Sequence, residues 1–323
     1  MNKNIFQITI GVDIAKKKFD AACLIEGKYK HKHFTNDESG FTDFVLWFTA
    51  LCADINPLIC MEATGAYSLP LADFLINQNY AVSVVNPVKI HAFAKSELSR
   101  AKTDKADAKL IARFALSAQP PLWIPPPDII RLLQALSRRV EHLLEMLQME
   151  RNRLDTADKS IVESITKSIE FLEAELKTTR TSIKNHINND PGLKQRSDLL
   201  ATIPGIGEAS ITHLLIVMSD HHNFTSAKQI VAFVGLAPKL RESGKWHGNT
   251  HIAKSGDPIL RKILYMPALC AWTHNPAIRV FCERLKANGK NGKAIVCAAM
   301  RKLIHIAFGV IKSGKPFDPN YAV

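Results

Sequence analysis

The 323-residue sequence predicts an α/β domain at the N-terminus and mostly α-helical structure beyond it. Three patterns carry that prediction. Short β-branched apolar runs, later alternating with helix-spaced runs, fill residues 5–118. The run "QPPLWIPPPD" at 119–128 is rich in proline, which breaks helices and marks a boundary. From Ile129 to about Ile187 the chain is charged, leucine-spaced and free of Gly and Pro.

Taken in order, "IFQITIGVD" (5–13) reads as a first strand that ends on an aspartate. "KFDAACLIE" (18–26) and "KYKHKHF" (28–34) read as the next two strands of a meander. Phe41, Phe44, Val45 and Phe48 share one face of a helix over 38–53. "LICMEA" (58–63) and "AVSVVN" (81–86) are short buried strands on either side of a helix at 67–78. Two more helices, about 88–98 and 104–118, complete the α/β domain. Leu132, Leu133, Leu136, Val140, Leu143, Leu144 and Leu147 then keep a 3-and-4 spacing. That spacing predicts two long helices, packed either as an antiparallel or intermolecular coiled coil or as a helical hairpin within one chain. "LLATIPGIGEASITHLLIVM" (199–218) reads as a helix-hairpin-helix element, and 258–312 as mostly helical. The expected domains are therefore 1–120, 121–190 and 191–323.

Charge is distributed unevenly. Residues 191–323 hold 18 Lys/Arg against 7 Asp/Glu, which supplies +11 of the formal net charge of +12. An excess so one-sided points to a polyanion, and nucleic acid is the expected partner. Global disorder is excluded by a 46% hydrophobic content. The six cysteines form no C-x-x-C pair, which argues against a zinc site and for reduced thiols. There is no signal-peptide layout and no uncharged apolar run of membrane-spanning length, so a cytoplasmic protein with no membrane partner is expected.

Four acids stand out. Asp13 and Glu62 each end a predicted strand, where sites form in α/β sheets. Asp104 and Asp107, spaced i and i+3, share one helix face. Like charges so placed repel, and Mg²⁺ (or Mn²⁺), which prefers hard oxygen ligands, would relieve them. Two strand acids followed by a pair of helix acids is the layout of a ribonuclease-H-like nuclease centre. There, two metals clamp the attacking and leaving oxygens of a phosphodiester. A second stretch, "KLRESGKWHGNTHIAKSG" (239–256), is basic, glycine-containing and aperiodic, and reads by itself as a loop. Arg241, Lys245, His251, Lys254 and the downstream Arg261 are its candidate phosphate contacts.

"IGVDIAKKKFD", "CMEATGAY", "VVNPVKIHAFAKSE", "KTDKADAKLIA", "IPGIGE", "AFVGLAPKLRESGK" and "PILRKILYMPAL" together resemble one family nearly end to end. It is the DEDD transposases of bacterial insertion sequences that use a bridge RNA, with the related Piv-type DNA invertases. The resemblance implies a RuvC-like (ribonuclease-H-like) N-terminal domain, a helical coiled-coil linker and a mostly helical C-terminal transposase domain. It assigns the metal-binding D-E-D-D set to Asp13, Glu62, Asp104 and Asp107, and a nucleophilic serine to Ser243. It implies donor and target DNA, a structured non-coding guide (bridge) RNA, a homodimer pairing into a homotetramer at synapsis, and action at the nucleoid. It also implies a site shared between subunits. The nearest rival reading is a RuvC-like metal-dependent nuclease or Holliday-junction resolvase that uses water as its nucleophile.

Overall fold

A computed structural model of the chain describes residues 6–52, 55–97, 103–219, 224–239, 242–243, 246–247, 251–253, 256 and 258–320. The chain divides into two compact units, residues 1–125 and 126–323.

The first unit is built on one five-stranded sheet. β1 (Thr9–Ile14), β2 (Lys18–Ile25) and β3 (Lys28–Thr35) form an antiparallel meander. α1 (Glu38–Cys52) leads to β4 (Leu58–Glu62), which lies parallel to β1. A 3-10 turn (Gly65–Tyr67) and α2 (Leu69–Asn77) lead to β5 (Ala81–Val85), parallel to β4. α3 (Pro87–Ser96) and α4 (Asp104–Ala118) follow. The strand order is β3-β2-β1-β4-β5, and β2 alone runs against the rest.

Strand periodicity sorts the side chains onto two faces. Ile10, Val12, Phe19, Ile59 and Met61 meet Phe41, Phe44 and Phe48 of α1 in an aromatic-rich core. Phe44 packs edge-on against Phe19, Phe34 and Phe48 at centroid distances of 5.4, 5.3 and 5.0 Å. The opposite face carries Leu58, Cys60 and Val85 against Leu110, Ile111 and Phe114 of α4. Beside the β5 edge, Ser83 Oγ stands within hydrogen-bonding distance of the carbonyls of Pro120 and Pro121, and Trp123 N–H donates to the Val82 carbonyl. The proline-rich segment thus covers an edge that would otherwise be open to strand pairing.

Gly11 determines how closely α4 lies on the sheet. A Cβ there would sit 2.1 Å from the Ala108 carbonyl oxygen and 2.2 Å from the Ala112 nitrogen. Thr9 Oγ1, two residues before it on the same face, donates to the Ala112 carbonyl at 2.9 Å. The helix backbone therefore rests directly on β1. Thr103 caps α4 by accepting from the Ala106 N–H, so the helix begins at Asp104.

In the second unit, α5 (Asp128–Leu154) and α6 (Val162–Asn189) pack along one another within the chain. Leu143 and Leu147 meet Leu172 and Leu176. Of the packings left open by the leucine spacing, the helical hairpin within one chain is the one observed. At its other end, Ile130, Leu133, Ile183 and Ile187 enter a core shared with the helices that follow. These are α7 (Pro191–Ala201), α8 (Glu208–Val217), α9 (Ala227–Phe233), α10 (Pro258–His274), α11 (Pro276–Ala287) and α12 (Gly292–Ser313). The fully buried Asn275 caps α11 and also donates from Nδ2 to the Pro204 carbonyl, which ties down the corner between α7 and α8. By length and composition α12 could cross a membrane, with a mean hydropathy of 1.8. Its apolar residues Ile295, Ala299, Leu303, Ile306 and Val310 instead form the middle of this core. All six cysteines are free, and Cys270 is exposed.

The stretch expected to be a loop contains paired backbone. β6 (Pro238–Lys239) pairs with β9 (His251–Ile252), and β7 (Glu242–Ser243) pairs with β8 (Trp246–His247), both antiparallel. Two-residue strands are too short to show a period, so no pattern could reveal them.

Replacing Gly11 by Ala forces a methyl group into backbone that cannot move without lifting α4. The expected loss is at least about 2 kcal/mol, read as a lower urea midpoint for the first unit. A variant with wild-type stability would refute the close contact.

Candidate metal centre and serine hairpin

Register decides which side chains meet. On β1, Thr9 and Gly11 face α4, so Asp13 faces it too. Asp20 of β2 is the direct cross-strand partner of Asp13, and so shares that face. Gly11 lies opposite Cys60 on the parallel β4, which brings Glu62 level with Asp13. α4 starts above this end of the sheet, and Asp104 and Asp107 lie in its first turn. Carboxylates there also suit the positive end of the helix dipole. Four acids spread over 95 residues of sequence are thus brought to the carboxyl ends of β1 and β4.

The electrostatics of Asp13 reflect that convergence. Its carboxyl is pushed up from the ordinary 3.8 to about 6. Burial is the largest cause, followed by the charges of Asp107, Asp104, Glu62 and Asp20. Asp104, by contrast, is lowered by a hydrogen bond from Lys18 and by its charge. Lys18 Nζ stands 2.9 Å from Asp104 Oδ2 and 3.7 Å from Asp20 Oδ2. The buried Asp20 has its other oxygen 2.8 Å from His31 Nε2 on β3.

Asp20, Lys18 and His31 were not singled out from the sequence. The one mark Asp20 leaves there is a lone acid inside the apolar strand "KFDAACLI".

The serine hairpin belongs to the second unit. Ser243 ends β7 and pairs with Trp246, and its backbone alone is described. Arg241, Lys245 and Lys254 lie outside the described residues. His251 is exposed on β9. Arg261 is partly committed, since its Nη1 donates to the Val234 carbonyl at 2.7 Å. The segment after β9 is anchored to the C-terminal end of α9 and the residues that follow it. Ala253 N–H donates to the Ala237 carbonyl, and Gly256, at φ +156°, passes so close to the Phe233 carbonyl that a Cβ would sit 2.1 Å from it.

Two family profiles match the chain. A DEDD transposase profile of the IS110 type matches residues 10–161, and a second profile, "Transposase IS116/IS110/IS902 family", matches residues 197–283. The chain belongs to the IS110/IS116/IS902 transposase family. It is 39% identical over 312 residues to the pilin gene-inverting protein of Moraxella lacunata, covering 96% of this chain and 97% of that one. The Moraxella bovis protein of the same name matches equally well. The transposase of insertion sequence IS1328 from Yersinia enterocolitica is 25% identical, over 96% of this chain and 98% of that one. This transposase is thus related to Piv-type invertases, and DNA is the substrate class of its family.

DEDD transposases use divalent metal in general, and the acids of this transposase fit such an ion chemically. Every group whose charge raises Asp13 is a carboxylate, and a hard cation would remove that repulsion. Among the described residues, no three donors are gathered into a finished cage.

A pH dependence follows from Asp13. A carboxyl whose pKa is raised by folding binds more protons folded than unfolded, so stability falls as pH rises from 3.8 through about 6. In chelator, Asp13→Asn is expected to be more stable than wild type above that window and equal to it below. The gain is about 1–2 kcal/mol once solvent screening is allowed for. Thermal melts across pH check it, and a variant less stable at pH 8 would contradict it.

Proposed function

We propose that this transposase is an RNA-guided DNA recombinase that cuts and rejoins strands through a serine–DNA phosphodiester. The observation that carries the reading is the convergence of Asp13, Glu62, Asp104 and Asp107 beside one strand end, in a chain whose family acts on DNA. The sheet order, with one reversed strand, supports a RuvC-like, ribonuclease-H-like first domain. In this reading the functional division is 1–120, 121–190 and 191–323, with the α5–α6 hairpin as the linker.

In this reading Asp13, Glu62, Asp104 and Asp107 hold Mg²⁺ or Mn²⁺. When held there, such an ion would supply positive charge against the phosphate and would ease loss of a hydroxyl proton. Ser243 Oγ forms a bond to phosphorus as the bond to the 3′ oxygen breaks. The serine proton is lost, the departing strand end keeps a free hydroxyl, and the 5′ phosphate stays on the protein as a diester. Because one phosphodiester replaces another, rejoining needs no ATP. Arg241, Lys245, His251, Lys254 and Arg261 supply positive charge for the equatorial oxygens.

Target choice is assigned to base pairing by a bridge RNA, as the resemblance to the family implies. Its basic second unit would then bind RNA shape and phosphate. A homodimer pairing into a homotetramer completes the assembly, and the nucleoid is its place of action.

Denaturing gels after incubation with a plasmid target and the co-purified RNA separate this reading from a water-using nuclease. Wild type should leave protein covalently attached to DNA. Ser243→Ala should lose adduct and strand exchange together, by at least about a hundredfold. Cleavage by Ser243→Ala at a near wild-type rate would overturn the serine assignment. Sequencing of the co-purified nucleic acid should return one structured RNA, and random fragments would overturn the guide.

A further inference from the structure

We propose that Lys18 is an internal counter-cation of the acid centre, held on Asp104 in the absence of metal and withdrawn to Asp20 when a divalent ion binds. This rests on the metal-centre reading above.

The placement comes from the fold. Lys18 opens β2, with Asp20 and Ala22 following on the face that meets α4. Its Nζ reaches across to the first residue of α4, 86 positions later in the chain, at 2.9 Å. The same nitrogen is 3.7 Å from Asp20. One ammonium therefore sits between carboxylates from two separate elements, and both of them raise the Asp13 carboxyl. A cation is needed there, since so many carboxylates beside a buried acid repel one another.

Three features suit a temporary cation rather than a fixed strut. The Lys18 side chain is 54% exposed, and so is able to leave without disturbing the core. Asp104 is similarly exposed at 58%, so water and a hydrated ion can reach it. Asp20 is only 10% exposed and is held from behind by His31 at 2.8 Å. It is a rigid berth a short distance from the first partner. Moving from Asp104 to Asp20 costs Lys18 little, and it frees the Asp104 carboxylate for a hard ion.

An ordinary surface ion pair would have the same distances but a different linkage. Such pairs contribute little and take no part in metal binding. A counter-cation competes with metal for the same oxygens, and competition is reciprocal.

The test is calorimetric titration of Mn²⁺ into the full-length metal-free protein, with Lys18→Met and Lys18→Gln as variants and Asp13→Asn as a control. Removal of the ammonium should tighten Mn²⁺ about two- to fivefold at low salt, with the difference shrinking as salt screens it. Metal-free Lys18→Met should melt below wild type, and the Mn²⁺-saturated proteins should melt together. Unchanged or weaker Mn²⁺ affinity in both Lys18 variants, with wild-type binding intact and lost in Asp13→Asn, would overturn the counter-cation alone. Absence of saturable Mn²⁺ binding in wild type would overturn the metal-centre reading and this proposal with it.

Discussion

The first unit depends on the direct contact between the backbone of α4 and strand β1 at Gly11. No side chain separates them, because the Ala108 carbonyl occupies the space a Cβ would need. The Thr9 hydroxyl fixes the register of the helix along the strand. From these two constraints the position of Asp107, one residue before Ala108, follows without further choice. The Thr103 cap determines where the helix starts and thus where Asp104 stands. Packing close enough to exclude side chains is what lets residues 104 and 107 reach acids at 13 and 62.

That closeness has an electrostatic cost. Burial first, and then the like charges gathered beside it, raise Asp13 to about 6, so the folded state carries a cost the unfolded chain lacks. Functional sites commonly hold such strain, offset by packing elsewhere. Here the offset is the phenylalanine cluster on the far side of the sheet, whose buried rings hold β1, β2 and α1 in place. The acids sit on the opposite face of the same strands.

Much of this was legible in the sequence. Alternation in 5–86 located the strands, and the Phe41, Phe44, Phe48 spacing located the helix that covers one face. Asp13 and Glu62 were legible at the ends of expected strands, and Asp104 and Asp107 by their i, i+3 spacing on one helix face. Asp20 was not, since a single acid in a strand has no period, and its role depends on the β1–β2 register. Lys18 was hidden among "KKK", where only the pleat decides which lysine faces α4. The β6–β9 and β7–β8 pairs are too short to leave a pattern. The leucine spacing of α5 and α6 fits partners in the same chain or another, and the seven residues between those helices permit the hairpin that forms.

The proposed convergence of β1, β4 and α4 on one divalent ion can be mapped without substrate. Fe²⁺ exchanged into the full-length protein, with ascorbate and peroxide, cuts backbone within reach of the metal. The expected cuts fall in three separate segments, near residues 12–14, 61–63 and 103–107, and disappear when Mg²⁺ is in excess. Cuts scattered along the chain, or confined to one of the three segments, would contradict a shared centre.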